Sequence, residues 1–235
     1  MESSSPASSK LKLQSALGQL AYNHVKEQLL EGDLKPQDSL SVVALAEQLG
    51  CSRVPVMEAL KRLELEGFLA IVPQVGCKVV SPEAQDVMDF FELFSSVEGT
   101  IARFASERRT NEDIVDFRKV CRHIEKEAAL AGTPADRDPV YRQLNLLFYT
   151  QMHKMARAPL ASCIVAGFWD RSDFYIKTTF GSLYFSSEVK RVHGGVRDAI
   201  IDGDAEMAES EIKAHLKAVG QNVARRLQEL ESSGS

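Results

Sequence analysis

The strongest constraint on this chain lies between residues 41 and 80, where short segments of different kinds follow one another. Ser41 stands where an N-cap is needed, Val42-Val-Ala-Leu-Ala-Glu-Gln-Leu49 has helical apolar spacing, and Gly50 stops it. Ser52 is placed to cap another helix, Arg53 to Glu66, whose Pro55 falls in the first turn, where a missing N–H is tolerated. After Gly67, the runs Phe68-Leu-Ala-Ile-Val72 and Gly76-Cys-Lys-Val-Val80 flank Pro73-Gln-Val75, which predicts a β-hairpin. Upstream, Leu17, Leu20, Ala21, Val25 and Leu29 recur at helical spacing until Gly32 and Pro36. Three helices, a tight turn between the last two and a hairpin describe a winged helix-turn-helix.

From Pro82 onward the pattern changes to long helices. Six stretches are expected, at roughly 84–107, 111–131, 137–156, 159–180, 186–202 and 205–231, with Thr110 and Asp204 as N-caps and Gly132 and Gly203 at helix ends. The expected fold is mostly α: a winged helix-turn-helix over 11–80, a linker at 81–84 and an all-α bundle of six to seven helices over 85–231. The serine-rich residues 1–10 and the last four, 232–235, read as flexible tails.

Composition removes several classes. Lys and Arg number 28 against 33 Asp and Glu, a net charge of −5, so the chain is no general polyanion coater, although a local basic patch stays open. No stretch approaches the roughly 18 uncharged apolar residues of a membrane span, and the first residues lack the basic and apolar regions of a secretory signal. Cys51, Cys77, Cys121 and Cys163 show no paired spacing, which argues against a disulfide framework or a cysteine-rich zinc site. A cytoplasmic protein without membrane contact is expected. Glycine-rich phosphate loop, nucleophile elbow and His-Glu-x-x-His are all missing from the sequence, so no enzymatic activity is expected.

In the third helix Val56, Ala59, Leu60 and Leu63 form an apolar stripe, while Arg53, Met57 and Lys61, spaced by four, project from another face. Such a face, beginning at a free helix N-terminus, suits phosphates and base edges. In the second part His193 shares a face with Val196 and Ile200, and His215 shares one with Ile212 and Val219.

Gly50-Cys-Ser-Arg-Val-Pro-Val-Met-Glu-Ala-Leu60, Leu63-Glu-Leu-Glu-Gly-Phe68 and Gly76-Cys-Lys-Val79 together resemble the DNA-binding domain of GntR-superfamily transcriptional regulators. The helical remainder resembles the FadR-type effector domain called FCD. His193, ten residues before Gly203-Asp-Ala-Glu206, and His215, twelve after that glycine, match its closing signature. The resemblance implies a homodimer that binds a palindromic operator in double-stranded DNA, most often as a repressor, and answers to a small-molecule effector. It assigns DNA contact to Ser52, Arg53, Val54, Met57, Lys61, Gln74 and Lys78, and effector contact to Phe94, Asn145, Tyr149, His193 and His215.

This sequence also departs from the family pattern. Met57 and Val75 replace arginines that usually help hold the operator. FCD domains commonly bind a divalent metal through an Asp, a His four residues on and two later histidines. Here the first two positions are Asn145 and Tyr149, leaving His193 and His215, and Phe94 takes the place of an arginine that pairs with acidic effectors. Asn145 and Tyr149 supply no anionic or strongly basic ligand. No cofactor is therefore expected. A divalent metal, if one bound, would rest on His193 and His215. The expected effector is an organic acid or aromatic compound, accepting hydrogen bonds from the two histidines, with Phe94 as an apolar wall. The competing readings are a metal-dependent carboxylate sensor, an enzyme using His193, His215 and Tyr149, and a winged helix that binds a protein partner.

Overall fold

The structure is a computed structural model that describes residues 6–72, 76–130, 134–183 and 188–233. The chain separates into two units at Pro82 and Glu83. The first contains α1 (Pro6–Glu31), β1 (Ser39–Leu40), α2 (Val42–Gln48), α3 (Arg53–Leu65), β2 (Leu69–Val72) and β3 (Gly76–Val79). Ala21, Val25 and Leu29 of α1 are buried with Val56, Leu60 and Leu63 of α3 and form one core, while Leu20 of the expected α1 stripe is exposed. Helix α1 begins at Pro6, so residues 6–10, expected as tail, are helical; proline suits a first helical turn, where its N–H is not needed.

The turn between α2 and α3 closes as the residue types require. Ser41 Oγ accepts from the Ala44 N–H at 3.3 Å, and Gly50 sits at φ +61°, which glycine adopts without a Cβ clash. Ser52 occupies the N-cap of α3 with extended backbone, but its hydroxyl makes no cap bond and stays exposed. The hairpin forms with Leu69 opposite Val79 and Val72 opposite Gly76. A short third strand, unforeseen in the sequence, pairs Ser39 with Lys78 and Leu40 with Cys77, giving the order β1-β3-β2. Two residues are too few to show an alternating pattern. Gln74 and Val75, in the wing turn, lie outside the described residues.

The second unit holds α4 (Ala84–Arg108), α5 (Asn111–Leu130), α6 (Pro134–Ala156), α7 (Pro159–Phe180), α8 (Glu188–Asp202) and α9 (Ala205–Ser233), each within three residues of its expected bounds. Thr110 and Asp113 cap α5 reciprocally: the Asp113 N–H donates to Thr110 Oγ1 at 3.1 Å, and the Thr110 N–H to Asp113 Oδ2 at 2.9 Å. Asp204 accepts from the Met207 N–H at 2.9 Å. Gly132 lies outside the described residues. Helices α4 and α9 pack tightly at Gly220, where an added Cβ would stand 2.6 Å from the Phe91 Cβ.

Candidate nucleic-acid interface and effector cavity

Helix α3 turns its apolar stripe inward and leaves Ser52, Arg53, Val54 and Lys61 exposed, with Met57 half-buried between the two cations. Lys78 is half-buried on β3, between the buried Cys77 and Val79, so it faces away from the core side of the sheet. Arg53, Lys61 and Lys78 take part in no ion pair among the described residues. Arg62 is the contrast: it is held by Glu66 at 3.1 Å and lies over the Tyr22 ring at 3.7 Å. The cations of the predicted face keep their charge and donors available, whereas this neighbouring arginine is spent on the domain itself.

In the helical unit a cavity of about 240 Å³ opens between α5, α6 and α8. Cys121, Ile124, Leu144 and Phe148 give it apolar walls, and Tyr141, Asn145 and His193 supply uncharged polar groups. His193 Nε2 donates to Asn145 Oδ1 at 3.1 Å, while the imidazole stacks on Phe148 with centroids 4.2 Å apart and planes within 7°. Burial, assisted by the nearby His215, pushes the His193 pKa down to about 3. Its ring is therefore neutral at physiological pH and meets a ligand as a hydrogen-bonding group without charge. Burial likewise raises the Tyr141 phenol, with Asp173 adding to the effect.

The remaining predicted pocket residues surround this wall without all reaching it. Tyr149 lies edge-on to His193 at 5.9 Å and against Trp169 at 3.8 Å. Its buried hydroxyl has no hydrogen-bond partner among the described residues, and burial, with Glu98 and Tyr141 nearby, lifts its pKa well above the tyrosine range. His215 lies near enough to His193 to help hold its pKa down but is not on the cavity wall. Phe94 is fully buried among Phe90, Phe91, Phe168 and Trp169, 4.8 Å from the last, and does not line the cavity. Its side chain belongs to an aromatic core that α4 and α7 build, apart from the wall of this cavity.

Sequence reasoning missed a buried cluster one helical turn farther along. Glu98, four residues after Phe94, has no exposed surface; its carboxylate accepts from Trp169 Nε1 at 2.7 Å and meets His153 Nε2 at 3.0 Å. His153 is four residues after Tyr149, so both lie on the helix faces already marked as inward. That spacing was the available signal. Tyr141, four residues before Asn145, was legible in the same way.

The metal that FCD domains commonly hold does not fit this donor set. Asn145 spends its carbonyl oxygen on His193, the Tyr149 phenol keeps its proton, and no carboxylate belongs to the set. Among the described residues no three His, Cys, Asp or Glu side chains are grouped to hold a metal ion. A divalent ion needs three or four good donors, usually with an anionic one.

A winged helix-turn-helix unit followed by an all-α bundle with an internal cavity defines a class of two-part regulatory proteins. Residues 17–79 match the model of the bacterial regulatory proteins of the gntR family, and residues 89–218 match the FCD domain. The chain belongs to the GntR-family regulators that carry an FCD domain. It is 37% identical over 84 residues to the Nta operon transcriptional regulator of Aminobacter aminovorans, covering 36% of this chain and 40% of that protein. It is 26% identical over 166 residues to the HTH-type transcriptional regulator McbR of Escherichia coli K12, covering 71% and 72% of the two chains. The alignments with the first three curated relatives span less than half of those proteins, 40%, 47% and 48%. The solved structure of E. coli McbR/YncC superposes with a TM-score of 0.67 at 22% identity, over 91% of this chain and 98% of that one, which shows the shared fold. No helix among the described residues is long and apolar enough to cross a membrane.

Proposed function

We propose that this chain is a cytoplasmic, ligand-responsive transcriptional regulator, acting as a repressor, that binds a palindromic operator as a homodimer. The observation that carries the reading is the exposed face of α3, where Arg53 and Lys61 stand eight residues apart with no ion pair among the described residues. Arg53 opens the helix, where its planar fork can meet guanine O6 and N7, while Lys61 and Lys78 meet phosphates. One such helix and wing carry too few cations for tight binding. Two copies on a pseudo-palindrome multiply the affinity.

A small aromatic compound in the cavity between α5, α6 and α8 would act as effector, with Asn145 and His193 touching it and Tyr149 and His215 behind them. It switches DNA binding to the extent that it favours one dimer geometry over the other. The test is a gel-shift titration on the duplex upstream of the protein's own gene at several salt concentrations. Saturable binding that weakens with salt is expected; equal binding to unrelated duplexes, or none at low salt, overturns the reading.

A further inference from the structure

We infer that the cavity between α5, α6 and α8 selects an uncharged compound of one or two fused rings bearing a single hydroxyl or ring N–H, and rejects carboxylates; this rests on the reading of that cavity as the effector site. The first ground is size. An apolar cavity of about 150 Å³ holds benzene; at about 240 Å³ this one admits two fused rings. The second is shape: Phe148 and His193 already stack face to face, Ile124 and Leu144 are apolar, and a flat ring continues that arrangement.

The third ground is charge. Among the described residues, the cation on the cavity wall is Arg197, which is held by Glu125 at 2.7 Å and by Asp198 at 2.8 Å. Glu125 stands on the same wall and repels an anion. The other polar wall groups are a phenol at Tyr141, an amide at Asn145 and an imidazole already donating to that amide. Burial keeps the imidazole and the phenol uncharged. A carboxylate entering here would lose water and gain no unpaired cation among the described wall residues, whereas a hydroxyl or N–H loses little and finds acceptors.

The matched probes are 2-naphthol and 2-naphthoate, titrated calorimetrically into the full-length protein. The filled variant is Gly194→Leu, because Gly194 is on the wall and an added Cβ there meets no atom within 4 Å. The variant therefore occludes the cavity without a steric conflict in the helix, and circular dichroism checks its fold. The expected result is saturable 2-naphthol binding, 2-naphthoate at least about tenfold weaker because its charge is stripped of water unpaired, and loss of naphthol binding in Gly194→Leu. Naphthoate binding as tightly as naphthol, or neither binding, overturns the uncharged-ring inference. Probe binding that survives unchanged in Gly194→Leu places the ligand elsewhere and overturns the cavity reading itself.

Discussion

The imidazole of His193 lies flat on the ring of Phe148, 4.2 Å between centroids, with its Nε2 donating to Asn145. A ring so enclosed by an aromatic face and a neutral amide, with His215 nearby, has little to offset a positive charge.

That enclosure has a pH signature. The His193 pKa is about 3 in the folded chain against an ordinary value near 6.5, so between these limits the unfolded chain binds the proton more readily. Its contribution is complete above pH 6.5 and declines as pH falls, reaching about 1.4 kcal/mol of lost stability at pH 5.5. Chemical denaturation at pH 7.5 and 5.5 should show this loss in the native sequence and a smaller one in His193→Gln; equal losses would rule the assignment out.

Arg53→Ala should remove about 1–3 kcal/mol of specific operator binding, because a forked contact to one guanine is lost. Lys61→Ala should instead weaken binding to every duplex and lower the salt slope by about one. Gel-shift titrations on operator and scrambled DNA separate the two; unchanged operator affinity in Arg53→Ala removes that residue from the interface.

Met57 lies half-buried between the two cations on α3. Replacing it, Met57→Arg, adds a cation to that face and should tighten binding to all duplexes, steepening the salt slope by about one. A flat response across duplexes would mean position 57 does not reach the DNA.

Chelation with EDTA should leave the effector response intact, since the donor set does not fit a divalent ion. His193→Ala, which removes the histidine on the cavity wall, should abolish that response and spare DNA binding. Stoichiometric zinc or nickel in the untagged protein, lost on chelation together with the response, would overturn the metal-free reading.

Gly220→Ala tests the contact between α4 and α9. A methyl group placed 2.6 Å from the Phe91 Cβ must push the helices apart or turn the ring. A loss of about 1–3 kcal/mol is expected in denaturant melts, typical of overpacking; an unchanged midpoint would show that the interface yields easily.

The winged unit was readable almost completely, because its signals are local. Ser41, Gly50 and the stripe of Val56, Leu60 and Leu63 each act within a few residues of themselves. Strand β1 escaped because pairing Leu40 with Cys77 is a long-range event with no local periodicity. In the helical unit the helices and caps at Thr110 and Asp204 were legible for the same local reason. The cavity was only half legible. Inward faces follow from helical spacing, and Asn145 and His193 do face a cavity, but spacing does not say which inward residues meet space and which meet other rings. Phe94 met rings, and Glu98 met Trp169 and His153 from two other helices.

The burial of Glu98 also sets how the bundle can deform. Its carboxylate draws from Trp169 on α7 and meets His153 on α6, so α4 is pinned to both by a group with no solvent to fall back on. One residue of rotation in an α-helix is about 100°, enough to carry the carboxylate away from both and leave it buried without partners. Twisting of α4 about its own axis is therefore closed off. On the proposed effector reading, whatever share of the displacement α4 carries takes the form of translation or tilt, with α6 and α7 beside it.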